Sequence, residues 1–354
     1  MPFRGHPRAP GLDLIRAIAV LLVLLCHGSG HFGYWFRFPV PAAMELAGNT
    51  GVDLFFALSG FLIGRILIGI VAARPAWRDF RVFMARRAMR TLPLYFVWLL
   101  FLLAVFPPRQ DALATALRFA TLTQNLFAPM PLDYYFAVTW SLTIEEWFYL
   151  LFGGMLIGLA RSIGGERALT VCLATFMVVP LTARLIDDRA GGLVYGRIDE
   201  IAYGVLAARL YLSRSRLFDH PIAAFAAGIA LHGAVAWGAM PSALIPAAAA
   251  AGAALLLPAA IRLRQGSSWF AAAVRWVASR SYALYIVHLT ILSDIAENLL
   301  WKPGLLPASV CVAAAIAGPF LVAEVSYRFL ETPLLRWRPG QAPSKPSGRA
   351  AVML

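Results

Sequence analysis

The sequence predicts an all-α fold, a polytopic bundle of about ten transmembrane helices. The first reason is composition, since 60% of the 354 residues are hydrophobic and only 14% are charged, against roughly 25% charged in a soluble domain. The second is grouping, because the apolar residues fall into segments that mostly reach the roughly 17–25 residues needed to span a bilayer. The third is the distribution of basic residues between these segments.

The apolar segments define one membrane domain, residues 1–338, with predicted spans at 12–28, 51–71, 89–106, 141–160, 168–186, 196–212, 221–239, 243–261, 281–299 and 306–330. Between the third and fourth spans, Leu113, Ala116, Leu117 and Ala120 recur at helical spacing, which predicts a short surface or re-entrant helix. Residues 339–354 are rich in Pro, Gly and Ser and are predicted to form a disordered cytoplasmic tail.

The net charge of +13 is explained by topology. With ten spans and both termini in the cytoplasm, most arginines and lysines of the loops and tails lie on the cytoplasmic side, as the positive-inside rule requires. We therefore predict a multi-pass protein of the cell (inner) membrane whose charged partner is the lipid bilayer, and we expect no nucleic-acid partner. The first segment contains Arg16 and no A-x-A site, so we interpret it as a retained helix.

The first span carries His27, with Arg16 eleven residues before it. At about 100° per residue this offset returns to within about 20° of the same face, and at about 1.5 Å per residue the two positions are about 16 Å apart. Asp13 lies near the same stripe. Such groups cost roughly 2.5–3.5 kcal/mol each at a lipid-facing bilayer centre, so this face is a candidate wall of an active site. The alternative is that His27 is a core histidine hydrogen-bonded between helices.

Two further clusters carry charge next to predicted spans. Asp53 lies near the outer end of the second span, where an unpaired carboxylate would be costly. Arg86, Arg87 and Arg90 belong to a run of arginines without lysine, and the guanidinium fork suits bidentate phosphate recognition. Their alternative role is a topology signal only.

The segment WSLTIEEWFYLLF, residues 140–152, places two acids among aromatic side chains. Thr143 and Glu146 fit a capping box, which would give Glu146 a purely local role, whereas Glu145 has no such explanation. Acids beside Trp140 and Tyr149 indicate a carbohydrate-facing surface or, alternatively, an aromatic belt at the membrane interface.

The remaining ionisable residues have simpler expectations. Arg197 and Glu200 are spaced for an internal i,i+3 pair, with Asp199 between them. His288 is expected to pack, and Glu331 to pair with Arg328 or Arg336. Three cysteines without C-x-x-C spacing predict neither a zinc site nor a disulfide framework, and we expect no metal.

Taken in order, these motifs resemble the membrane acyltransferase-3 family of O-acyltransferases, the O-antigen and exopolysaccharide acetylase type. The resemblance rests on seven elements: Arg16 with His27, GVDLFFALSGFLI at 51–63, RRAMRTLPLY at 86–95, WSLTIEEWFY at 140–149, Arg197 to Gly204, SYALYIVH at 281–288 and Ser326 to Pro333. They cover roughly residues 12–335.

The resemblance implies that an acyl group, expected to be acetyl, moves from cytoplasmic acyl-CoA to a hydroxyl of an extracytoplasmic carbohydrate or other acceptor. It implies a catalytic His27, as general base or acyl carrier, and Glu145 as the group that orients the acceptor or the histidine. Arg16 and Asp53 belong to the same expected catalytic set, and Arg86, Arg87 and Arg90 hold the CoA phosphates. The expected acceptor-binding residues are Trp140, Glu146, Tyr149, Arg197 and Asp199.

Two other classes of protein remain open from the residues. A proton-coupled transporter of a small molecule would also place ionisable groups inside helices, although we find no inverted repeat that would favour it. A purely structural membrane protein would leave Arg16, His27, Asp53 and Glu145 unexplained.

Overall fold

The computed structural model describes residues 10–73, 75–128, 130, 135–263, 266, 268–300, 307–337 and 339. Over these residues the chain is almost entirely helical and contains no strand. The helices are α1 Pro10–Phe36, α2 Ala42–Ala72, α3 Trp77–Val105, α4 Ala112–Ala120, α5 Trp140–Ile163, α6 Gly165–Ile186, α7 Val194–Arg197, α8 Asp199–Leu212, α9 Pro221–Ala236, α10 Ile245–Arg262, α11 Trp269–Leu289, α12 Ala308–Ser326 and α13 Thr332–Leu335. Wider π-helical turns, Thr290–Leu300 and Tyr327–Glu331, continue α11 and α12.

Among the described residues, seven helices are long and apolar enough to cross a membrane. They are the stretches Pro10–Phe36, Ala42–Ala72, Trp77–Val105, Ala137–Ile163, Gly165–Ile186, Ser242–Arg262 and Ser309–Leu335. The predicted helical membrane bundle is thus confirmed. The other three predicted spans are also helical, but α8 has 14 residues, α9 has 16, and α11 carries Arg275 and Arg280. The count of ten spans stays a prediction.

Helix α3 begins at Trp77, twelve residues before the apolar segment predicted to span the membrane from residue 89. The arginine-rich stretch before residue 89 is therefore helical, in keeping with the high helix propensity of arginine. The Asp79 carboxylate also accepts from the Ala76 N–H at 3.2 Å, which stabilises the first turn. The arginines therefore project from defined faces of a helix. The predicted short helix after α3 is confirmed as α4.

Close helix packing brings α1, α2, α8 and α11 together. Gly60 of α2 and Gly204 of α8 allow the closest approach: a Cβ on Gly60 would lie 2.1 Å from the Ile201 carbonyl oxygen, and one on Gly204 would lie 2.3 Å from that of Ala57. On its other side α1 packs against α11. This arrangement places two helices with intramembrane histidines, α1 and α11, side by side.

The predicted tail at 339–354 lies outside the described residues except for Pro339, whose carbonyl oxygen accepts from Arg86 Nε at 2.7 Å. The division into a membrane domain and a disordered tail stays a prediction.

Candidate active site

A cavity of about 100 Å³ lies among α1, α2, α3, α5 and α11. We call it the arginine cavity, because Arg16, Arg87 and Arg90 line it together with Glu145 and Tyr149. Three guanidinium groups face one carboxylate there, and the carboxylate of Asp13 contacts Arg16 at 3.5 Å from outside the lining. The positive charge exceeds the negative, so the cavity favours an anion.

A hydrogen-bonded chain organises the carboxylate of the arginine cavity. The Tyr149 hydroxyl donates to Glu145 Oε2 at 2.9 Å, and Ser59 Oγ lies 2.7 Å from the same hydroxyl oxygen. Because Tyr149 has one proton to donate and gives it to the carboxylate, Ser59 donates to Tyr149. The guanidinium carbon of Arg87 lies 5.8 Å from the centre of the Tyr149 ring, within the range of a cation–π contact. The side chain of Glu145 is therefore fixed before any ligand arrives.

The faces of α3 separate the three arginines predicted to bind phosphate. Arg87 and Arg90 are three residues apart and share the face that lines the arginine cavity. Arg86 precedes Arg87 by one residue, which turns it about 100° away. It is outside the cavity lining and donates to the Pro339 carbonyl oxygen. Arg86 thus lies apart from Arg87 and Arg90, and phosphate binding by all three stays a prediction.

A second cavity, of about 730 Å³, lies towards the other end of α1. We call it the histidine cavity, since His27 and His31 line it, with Arg109, Ser293 and Asp294 as further polar groups. Much of its wall is apolar and includes Leu102, Phe106, Pro107, Pro108, Phe136, Val138 and Leu289. A mixed lining of this size admits a polar molecule with carbon faces, such as a sugar.

His27 is paired with a second histidine. Its Nδ1 lies 2.8 Å from Nε2 of His288, and the ring centroids are 5.0 Å apart. His288 is fully buried, and its Nδ1 faces the carbonyl oxygens of Leu284 at 3.1 Å and Tyr285 at 2.9 Å. Sequence reasoning gave His288 a packing role and missed this contact. A second histidine within a predicted span was the available signal.

Helix α11 forms a wall common to both cavities. Tyr285 lines the arginine cavity, and its hydroxyl lies 2.7 Å from Ser141 Oγ on α5. Its ring centre is 5.7 Å from that of Phe55 and 6.0 Å from that of His288. One turn later, Leu289 and Thr290 line the histidine cavity. The two cavities are thus neighbours, separated by a thin layer of side chains.

The two acids of α5 have different surroundings. Glu145 lines the arginine cavity and accepts from Tyr149, whereas the ring of His27 contacts His288, so the hydrogen bonds of the described residues do not join Glu145 to His27. Glu146 Oε1 accepts from the Thr91 hydroxyl at 2.7 Å in a buried contact between α5 and α3. The capping-box alternative for Glu146 is wrong, because α5 begins at Trp140 rather than after Thr143.

The expected acceptor-binding residues Arg197 and Asp199 belong to a buried charge cluster. Asp199 is fully buried, and its carboxylate accepts hydrogen bonds from Nη1 and Nη2 of Arg184 at 2.8 and 2.7 Å. Arg197 bonds to Glu200 at 2.5 Å, as the i,i+3 spacing predicted, and lies 4.5 Å from the centre of the Trp140 ring.

Asp53 is buried beside the Arg197–Glu200 pair. Of the predicted site residues, Asp53, Trp140, Glu146, Arg197 and Asp199 line neither cavity. The hydrogen bonds of Glu146 and Asp199 instead join α5 to α3 and α8 to α6.

The expected pairing of Glu331 is also different. Arg328 bonds to Glu324, which receives Arg280 Nε at 2.5 Å as well. Glu331 Oε1 is buried without a hydrogen-bond partner in the described structure. The described residues contain no group of three His, Cys, Asp or Glu side chains that could hold a metal ion.

Comparison with known proteins decides the family. The sequence profile of the acyltransferase-3 family, described as an acyltransferase domain, matches residues 10–324 and so covers every helix that lines the two cavities. The chain belongs to the acyltransferase-3 family. The resemblance inferred from the seven motifs is thereby confirmed, and no solved structure matches the chain.

Three relatives illustrate the membership. The chain is 25% identical over 363 residues to the peptidoglycan O-acetyltransferase OatA of Listeria monocytogenes, an alignment with 92% of this chain and 55% of that protein. It is 28% identical over 370 residues to the O-acetyltransferase OatA of Staphylococcus aureus, with 92% and 57% covered. It is 26% identical over 389 residues to the putative peptidoglycan O-acetyltransferase YrhL of Bacillus subtilis, with 93% and 55% covered. The chain thus spans little more than half the length of these relatives.

Proposed function

We propose that the protein is an integral-membrane O-acyltransferase that moves an acetyl group from acetyl-CoA to a hydroxyl of a carbohydrate. The observation that carries the proposal is the pair of cavities at opposite ends of α1, one lined by arginines and the other by His27, whose ring contacts the buried His288. The names of the relatives support acetyl as the group and a cell-wall glycan as the kind of acceptor.

The arginine cavity suits the phosphate end of an acyl-CoA donor. Arg87 and Arg90 present guanidinium forks from one helix face, and Arg16 adds a third across the cavity. One guanidinium group binds two phosphate oxygens at once and keeps its charge when buried. At about 100 Å³ the cavity is too small for the whole cofactor, so we infer that the nucleotide stays at its mouth while the thin thioester arm passes inwards.

The histidine cavity suits the acceptor. In the direct route, His27 takes the proton of the acceptor hydroxyl while that oxygen attacks the thioester carbonyl carbon. The carbon–sulfur bond breaks, and the thiolate of CoA takes the proton back from His27. In the covalent route, His27 first attacks the carbonyl carbon and expels the thiolate. The acceptor hydroxyl then attacks the acyl-imidazole, the bond between the carbonyl carbon and His27 breaks, and the hydroxyl proton passes to the thiolate of CoA. Both routes need the thioester to pass the layer of Phe55 and Tyr285 between the cavities.

Glu145 has a part in the arginine cavity. Held by Tyr149, it offsets one of the three positive charges and fixes the ring that Arg87 lies against. We infer that Glu145 keeps Arg87 directed into the cavity. Its role is to position Arg87 and not to transfer a proton.

The proposed orientation follows the positive-inside rule. With the N-terminus in the cytoplasm, Arg16 lies on the cytoplasmic side of His27, and the arginine cavity faces the compartment that contains acetyl-CoA. The histidine cavity then faces the outer side of the cell membrane. The thioester arm of acetyl-CoA would then bridge about 16 Å between Arg16 and His27, the rise of eleven residues.

The proposal is tested with purified full chain in detergent or nanodiscs. Acetyl-CoA labelled with ¹⁴C in the acetyl group is incubated with the protein and, in separate reactions, with peptidoglycan fragments or an exopolysaccharide. The expected result is label on a glycan, released by mild alkali as an ester should be. If no glycan is labelled, but reconstituted vesicles take up a small molecule in response to a pH gradient, the protein is a transporter instead.

A further inference from the structure

We propose that His288 is a positioning residue that holds His27 in the tautomer with its proton on Nδ1, so that Nε2 is the atom that reacts. The inference rests on the proposed function of His27 and assigns a part to a residue that the motif analysis treated as packing. It follows from a chain of three hydrogen-bonding groups that runs from the backbone of α11 to the ring of His27.

The chain begins at two carbonyl oxygens. Those of Leu284 and Tyr285 lie 3.1 and 2.9 Å from Nδ1 of His288. A carbonyl oxygen only accepts, so Nδ1 of His288 carries a proton. A neutral imidazole has one N–H group, which leaves Nε2 of His288 as an acceptor.

The second step crosses from α11 to α1. Nε2 of His288 lies 2.8 Å from Nδ1 of His27. Because that nitrogen of His288 accepts, Nδ1 of His27 must donate and therefore carries the proton of the neutral ring. Nε2 of His27 is then left with a free lone pair, as a base or a nucleophile requires.

Burial keeps this arrangement from reversing. His288 is fully buried, so no water can replace the two carbonyl oxygens if its ring turns over. The turned ring would leave a buried N–H group without an acceptor, at a cost of about 1–3 kcal/mol. Both carbonyls lie one turn back on the same helix, so α11 itself sets the tautomer of His288.

The arrangement serves either route of the proposed reaction. When Nε2 of His27 takes a proton or an acyl group, positive charge develops on the ring. The Nδ1–H group still donates to His288, which stabilises that charge. In the Ser-His-Asp triad, likewise, a group that accepts from Nδ1–H holds the catalytic imidazole in the reactive tautomer. Here the acceptor is a neutral imidazole, so the principal contributions are orientation and tautomer.

The experiment measures tautomer and rate separately. Protein labelled with ¹⁵N-histidine is prepared as wild type, His288→Leu and His288→Gln, and His27 signals are assigned by their loss in His27→Ala. Leucine fills the space without an acceptor, whereas the glutamine side-chain oxygen can still accept from Nδ1 of His27. Acetyl transfer is measured for each variant as kcat and KM.

We expect Nδ1–H at His27 in the wild type. In His288→Leu we expect a larger share of Nε2–H, limited by the hydrogen bond of the His27 ring to the backbone of Val23. The kcat of His288→Leu should fall by about 10²-fold, the lower end of the loss for a general base, with KM changed far less. His288→Gln should recover part of kcat. Nε2–H at His27 in the wild type, or a His288→Leu kcat within a few-fold of wild type, would overturn the proposal.

Other outcomes separate this inference from the proposed function. If His288→Leu does not fold, the wild-type tautomer and the kcat of His288→Gln decide. If the wild type shows Nδ1–H but transfers no acetyl group to any acceptor, the proposed function fails while the tautomer assignment stands.

Discussion

Replacing Arg87 with lysine should weaken acetyl-CoA binding without changing the charge of the arginine cavity. Arg87 lines the cavity beside Arg90 and lies 5.8 Å from the centre of the Tyr149 ring. Lysine keeps the charge but loses the fork, and one charge-assisted hydrogen bond contributes about 1.5–3 kcal/mol. At 1.4 kcal/mol per factor of ten, the Kd should rise about 10- to 100-fold.

The matched control is Arg86→Lys, the same change one residue earlier on α3. Arg86 is outside the cavity lining and donates to the Pro339 carbonyl oxygen, a bond that lysine can also make. We expect its Kd to stay within a few-fold of wild type. The assay is isothermal titration of the purified variants with acetyl-CoA and, in parallel, with acetyl-pantetheine, which lacks phosphates. Equal losses in the two variants, or an Arg87→Lys loss that persists with acetyl-pantetheine, would refute a phosphate site built from one face of α3.

Three further predictions concern the fold. Gly60→Ala should lower the free energy of unfolding by about 1–3 kcal/mol, because its Cβ would meet a backbone oxygen of α8 at 2.1 Å; thermal unfolding in detergent, with the open position Gly30→Ala as control, checks this. Asp199→Asn should cost about 3–5 kcal/mol by leaving its buried arginine unpaired, so the purified yield should collapse; a stable variant that has lost only acceptor binding would contradict a structural role. In a cysteine-free background, Asp79→Cys should be labelled only from the cytoplasm and Leu113→Cys only from outside; the reverse pattern would contradict the topology.

The sequence was sufficient to place the helix that carries the site. The spacing of eleven residues puts Arg16 and His27 on one face, and the cost of exposing such groups to lipid directs that face inwards. In the structure Arg16 lines one cavity and His27 the other. Periodicity and the energetics of burial are properties of a single helix, so they can be read without knowing its neighbours.

The partner of His27 could not be predicted in this way. His288 is separated from it by 261 residues. Only the packing of α1 against α11 brings Nδ1 of His27 to 2.8 Å from Nε2 of His288. The capping-box interpretation of Glu146 failed for a related reason, since its hydrogen-bond partner, Thr91, lies on another helix. The position of Arg86 is different, because it follows from the sequence alone. On a helix, Arg86 points about 100° away from its neighbour Arg87.

The most direct test of the central claim is acetyl transfer by His27→Ala, measured with ¹⁴C-acetyl-CoA and a glycan that the wild type labels. His31→Ala is the matched control, since His31 lines the same cavity four residues further along α1. The account predicts that His27→Ala inserts and purifies like wild type and loses about 10²–10⁴-fold in rate, or more if His27 carries the acyl group. The His31→Ala rate should remain within about tenfold of wild type, which is a smaller loss than that expected for a missing general base. A His27→Ala rate within a few-fold of wild type, or a variant that fails to accumulate, would contradict the claim that His27 performs the transfer.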